Sequence, residues 1–141
     1  MKNKTFVFLL QGVAFILCLA CTGCKKEEDK SINPIVGKWT MTAYIHNGVD
    51  VYGTQVPPCV IDDIATFTID QKLINDEGPT KCSSSDPQTS EGTYSLNNDN
   101  SKLTIVYGGS SFEDNVLILN STTLKLEQVS NDDLVTYTKV P

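Results

Sequence analysis

Between Val36 and Val140, apolar residues recur at every second position in short runs, and the runs are cut by clusters of Gly, Asn, Asp, Ser and Pro. A period of two marks strands with one buried face, because successive side chains of an extended chain point to opposite sides. The clearest run is VGKWTMTAYIH, Val36 to His46. It places Trp39, Met41, Ala43 and Ile45 on one face and Lys38, Thr40, Thr42 and Tyr44 on the other. Asn47-Gly48 follows, and both residues tolerate the positive φ of a two-residue hairpin turn, so Val49 to Tyr52 is expected to pair back briefly. Pro57-Pro58 stops regular pairing, since neither residue has an amide hydrogen for a ladder.

Further on, Ala65, Phe67 and Ile69 alternate with Thr66, Thr68 and Asp70, and Asp70-Gln71-Lys72 reads as a turn into a strand around Leu73-Ile74. KCSSSDPQTSEG is a polar loop. GTYSL then turns Tyr94 and Leu96 one way, and LTIVY does the same with Leu103, Ile105 and Tyr107. FEDNVLIL fits a strand with either Val116 and Ile118 or Leu117 and Leu119 inward. LKLEQV and LVTYTKV complete the set and add Leu124, Leu126 and Tyr137 to the inward side, with Asn120-Ser121-Thr122 and Asn131-Asp132-Asp133 as turns. No window carries a helical face of more than two turns. Threonine, valine, isoleucine and tyrosine dominate the runs, as half-buried pleated surfaces prefer. Eight strands joined in sequence by short turns predict an all-β domain over residues 35–141, an antiparallel up-and-down barrel whose closure removes exposed edges.

The first residues break this pattern. Lys2 and Lys4 precede an apolar run from Phe6 to Ala20, shorter than the roughly 20 residues of a spanning helix and ending in small residues and cysteine. That is the layout of a secretory signal peptide. Cys21-Thr22-Gly23-Cys24 resembles a bacterial lipobox, in which the last cysteine receives a diacylglycerol thioether and the chain is cut just before it. Cys21, preceded by Leu19-Ala20, is a second candidate. Parity favours Cys24, because removal of residues 1–23 discards Cys18 and Cys21 and leaves Cys59 and Cys82 as the other thiols. The stretch from Cys24 to Pro34 is charged and aperiodic and reads as a tether. Its lysines and acids resemble the export signal that places lipoproteins of Bacteroidetes-type bacteria on the cell outer membrane.

Charge changes the picture next. Seventeen acids face eleven lysines and no arginine, and removal of residues 1–23 takes the net charge from −6 to about −8. Binding to nucleic acid rests on neutralising phosphates, so no nucleic-acid partner is expected. Contact with a membrane should come through acyl chains such as palmitate, each buried methylene contributing about 0.8 kcal/mol.

Candidate chemistry is sparse. Two thiols in an exported chain are expected to pair, so Cys59 and Cys82 should form a disulfide contributing about 3 kcal/mol. A zinc site at Cys18, Cys21 and Cys24 would sit inside an export signal and lacks a fourth ligand, so no metal is expected there. Asp62-Asp63, with Asp70, Asp76 and Glu77 nearby, offers oxygen ligands for calcium, yet adjacent strand residues point apart. Those aspartates read instead as turn residues or as the cap of a short helical turn. His46 is the sole histidine, at a hairpin tip without a serine or cysteine partner, so no catalytic residues and no cofactor are expected.

Gly37-Lys38-Trp39 resembles the Gly-x-Trp signature of lipocalins, in which the tryptophan closes the base of the barrel. The order IVGKWTMTAY, NGVD, CVIDDIATFTID, KCSSSDP, EGTYSL, KLTI and LKLE resembles the lipocalin-like domain of small Bacteroidetes lipoproteins over nearly all of residues 35 to 138. The resemblance implies a lipidated, secreted eight-stranded barrel. Trp39, Met41, Phe67, Tyr94, Ile105, Tyr107 and Tyr137 are the candidate ligand-lining residues. An eight-stranded barrel is either filled by its side chains or holds one small ligand, and the short strands and large inward residues favour a largely filled core. The expectation is noncatalytic binding of a small apolar or amphipathic ligand. The alternative is a protein-interaction module, an envelope accessory subunit or enzyme inhibitor that uses the Lys81 to Glu91 loop and the Tyr52 to Pro58 segment.

Overall fold

The computed structural model describes residues 33–141, so the expected signal peptide, Cys24 and nearly all of the tether lie outside the described residues. The elements in order are β1 (Gly37–His46), β2 (Val49–Asp50), α1 (Tyr52–Gln55), α2 (Pro58–Ile61), β3 (Ile64–Phe67) and β4 (Lys72–Asp76). They continue with β5 (Thr89–Leu96), β6 (Lys102–Tyr107), β7 (Ser110–Leu119), β8 (Thr123–Gln128) and β9 (Leu134–Val140). All pairings are antiparallel. β1 pairs with β3, each later strand pairs with its successor, and β9 returns to β1, so β1 and β3 to β9 close an eight-stranded up-and-down barrel. The two-residue β2 is an appendage on the upper end of β1, turned back at Asn47 and Gly48, whose φ values of 50° and 78° are those a tight hairpin demands.

One end of the barrel, its base, is solid. Ile35, Trp39, Leu103 and Leu124 are all fully buried there, and each such side chain contributes about 1.5–3 kcal/mol relative to exposure. The Trp39 indole donates its Nε1–H to the Ile35 carbonyl at 2.7 Å. The Lys139 ammonium lies 5.0 Å from the centre of the Trp39 ring and donates to the Pro34 carbonyl at 3.1 Å. Gly37 explains half of the Gly-x-Trp pattern. Its φ of 141° suits glycine alone, and a Cβ there would collide with the Lys139 side chain that crosses the tryptophan.

Two bulges redirect the alternation read from the sequence. On β1, Met41 pairs with Tyr137 while Ala43 pairs with Thr136, so Thr42 is an extra residue. A bulge flips every later side chain to the other face. Tyr44 therefore joins Trp39 and Met41 on the inner face, and Ala43 and Ile45 turn outward, the reverse of the simple alternation. On β7, the register jumps from Val116↔Leu126 to Ile118↔Lys125, which makes Leu117 the extra residue. Val116 and Leu119 face inward, and Leu117 and Ile118 are about half exposed, so neither expected pairing on this strand is correct.

The Ile69 position is also corrected. β3 ends at Phe67 because Thr68 Oγ1 accepts the Lys72 amide and the Thr68 amide reaches the Lys72 carbonyl, closing a turn over Thr68 to Gln71. Ile69 sits in that turn and is 79% exposed, so it does not belong to the inward set.

Candidate functional site

Above the base, the interior is hollow rather than filled. A cavity of about 240 Å³ occupies the middle of the barrel. Its apolar wall is Phe67 and Ala65 from β3, Leu73 from β4, Ile105 and Tyr107 from β6, and Leu126 from β8. The expectation of a largely filled core fails for a local reason: Ala65, Asn75 and Asp114 take inward positions at this level, and they are smaller than the residues that fill the base. Phe112 also borders the cavity and is 55% exposed.

Two further spaces share its walls. Toward the β6–β7 and β8–β9 turns, a wider vestibule of about 550 Å³ has Ile105, Phe112, Asp114 and Tyr137 in common with it. A smaller space of about 160 Å³ shares Ala65, Asn75 and Tyr137, and is bounded by Trp39, Met41, Val60 and Asp63. Tyr137 therefore borders all three.

Of the residues singled out in the sequence, Phe67, Ile105, Tyr107 and Tyr137 line the main cavity, while Trp39 and Met41 border the smaller space. Tyr94 does not line them. Its ring stands edge-on against Phe67 with centroids 4.9 Å apart, and its hydroxyl donates to the Thr68 carbonyl at 2.6 Å, which locks it beneath the cavity as structure. Ala65, Leu73, Leu126, Asn75, Phe112 and Asp114 also line it and are absent from the candidate lining set. The signal for the last two was present, since Phe112, Asp114 and Val116 share one face of β7 at period two.

The polar groups of the hollow are unusual in what they lack. Asp114 sits opposite Leu103 on β6 and Gln128 on β8, and burial alone raises its carboxyl above the ordinary range. Burial, and then the charge of Asp114, push the Tyr137 hydroxyl up to about 12, so it stays protonated. Burial, followed by the neighbouring charges of Glu77, Asp62 and Asp76, lifts Asp63 to about 6. Asp62 Oδ1 and Asp63 Oδ1 are buried without a partner among the described residues. No group of three or more metal-ligating side chains converges among the described residues. Asp62 follows α2 directly, and its Oδ2 accepts the Thr80 amide at 3.0 Å, tying the β4–β5 loop to the helical turn.

The same loop is pinned by the Cys59–Cys82 disulfide, which joins α2 to the β4–β5 loop with Cα atoms 5.1 Å apart. The pairing expected from cysteine parity is present.

At the upper rim, Asp133 is 1% exposed under a thin cover of side chains, although its sequence reads as an exposed turn. Its Oδ2 accepts from the Tyr44 hydroxyl at 2.6 Å and the Asn131 amide at 2.8 Å, and its Oδ1 accepts from His46 Nδ1 at 2.8 Å. The Tyr44 hydrogen bond, and then His46, hold the Asp133 carboxyl below the usual range against the opposing effect of burial. His46 therefore has a carboxylate partner that sequence alone did not indicate.

A closed up-and-down barrel of eight strands, plugged at one end by a buried tryptophan and hollow in its middle, is the architecture of a lipocalin-like protein. The lipocalin-like domain family matches residues 35–126, and the chain belongs to that family. Its fold is similar to the crystal structure of a lipocalin-like protein from Bacteroides uniformis. The TM-score is 0.57 at 15% identity, over 76% of this chain and 99% of that one. Among curated proteins, none matches the sequence.

Proposed function

We propose that this chain is a noncatalytic binding protein of the cell envelope, anchored in the outer membrane through lipid on Cys24, and that its barrel holds one small amphipathic molecule. The observation that carries the binding reading is the mid-barrel cavity, with apolar walls, a few polar groups and an exposed aromatic ring, Phe112, at its edge. An apolar cavity of ~150 Å³ accepts benzene, so a space of about 240 Å³ suits a ligand of about ten heavy atoms by the same scaling.

Native mass spectrometry of the purified protein, followed by calorimetric titration with small amphiphiles, tests the binding reading. A retained or added mass at one-to-one stoichiometry supports it; no uptake of any apolar or amphipathic compound would sink it. Anchoring is supported by the sequence alone, through the signal-like start and the lipobox-like cysteines. Cys24→Ala should release the protein from membranes. Lipid labelling that persists in that variant would reassign the anchor to Cys21.

A further inference from the structure

We propose that the cavity recognises an amphipathic amine, a compact apolar body carrying one protonated nitrogen, and that Asp114 receives its charge. This rests on the binding reading above and narrows it to one chemical class.

The charges that face the hollow are acidic. Asp114 is the charged side chain on the wall of the main cavity, and Asp63 borders the smaller adjoining space; Glu113, at the edge of the vestibule, is half-exposed and already paired with Lys102. No lysine lines any of the three among the described residues, and the sequence contains no arginine. An anionic amphiphile would meet only like charge in a medium where repulsion is poorly screened. A cation would meet an acceptor already in place.

Asp114 is held where it can serve as that acceptor. It lies within β7 between two paired neighbours, Leu103 and Gln128, so its backbone is fixed by ladders on both sides. Its carboxylate is half-buried, that burial raises its pKa, and no side-chain donor among the described residues reaches it. A partly desolvated carboxylate without a donor is unfavourable, and a ligand ammonium relieves it through a charge-assisted hydrogen bond strengthened by the apolar surroundings. A bare divalent cation does not fit the same place. Such ions take six or more oxygens, whereas the wall around Asp114 is mostly Phe67, Leu73, Ile105 and Leu126.

The test is calorimetry on the purified full chain at neutral pH with three probes of nearly equal shape: 2-phenylethylamine, 2-phenylethanol and 3-phenylpropionate. The amine should bind about tenfold or more tightly than the alcohol, and the carboxylate weakest of all. Asp114→Asn should remove the amine's advantage and leave alcohol binding within about threefold, while Asp63→Asn, in the adjoining space, should have the smaller effect. Both replacements keep side-chain shape, and a thermal melt confirms that each variant is folded. Equal binding of amine and alcohol, or preference for the carboxylate, would overturn the amine assignment while leaving a binding cavity. A loss confined to Asp63→Asn would overturn the role given to Asp114. Binding of none of the three would overturn this inference, while the binding reading falls only if the wider titration with small amphiphiles also shows no uptake.

Discussion

Asp133, buried, and Asp114, half-buried, are two aspartates of one small barrel, and their surroundings are opposite. Asp133, at the upper rim, has donors from Tyr44, His46 and Asn131 and a lowered carboxyl pKa. Asp114, in the hollow, has burial without donors and a raised one. A covered carboxylate with full hydrogen bonding ties elements together, here the end of β1 to the β8–β9 turn. One without donors detracts from stability and has only a ligand or water left to complete it. Burial alone therefore does not tell what a carboxylate does in the fold; its donors decide whether it ties elements together.

The comparison can be broken at its supports. The largest effect should come from removing the Cys59–Cys82 bond, by reduction or by the double alanine variant. We expect a loss of about 3 kcal/mol and a fall in Tm of roughly 15 °C. Hydrogen exchange should then quicken around residues 56–64 and 77–88, near Asp63, and leave residues 44–46 and 131–134 protected. Equal quickening at the rim would mean that the two regions are mechanically one. Asp133→Ala strands three donors and should lower Tm by roughly 10 °C. Asp114→Asn, measured without ligand, should leave Tm unchanged or raise it by a few degrees, since it removes a desolvated charge. A drop comparable to that of Asp133→Ala would erase the distinction.

The smallest effect is a pH dependence. Asp63 binds its proton more tightly in the folded state, so stability should decline as pH rises from 3.8 toward about 6. Asp133 has the opposite sign, and its contribution is lost as pH falls below the ordinary value of 3.8. Thermal melts of the wild type and Asp63→Asn across pH 4–6 should diverge, with the variant becoming relatively more stable at the upper end. Parallel curves would return Asp63 to the ordinary range.

Much of the barrel is legible in the sequence because period-two alternation and turn residues are local signals. Asn47-Gly48 and the run around Trp39 gave the first strand and its hairpin directly. What the alternation could not reveal is where a strand gains a residue. Thr42 and Leu117 look like ordinary members of their strands, and only pairing with β9 and β8 makes them extra. That single-residue shift is why Tyr44 faces inward although the simple alternation points it outward. Ile69 failed differently, because its alternation continued past the end of β3 set by the Thr68 turn. The hollow was hidden because cavity volume depends on which side chains meet across the barrel, and Ala65 and Asp114 belong to different strands with no sequence proximity.

The contact between Lys139 and Pro34 also sets a direction. It holds the start of the described chain against the solid base, at the end of the barrel away from α2, the disulfide and the vestibule. The described chain thus enters the barrel through its closed floor, and the vestibule opens at the opposite end.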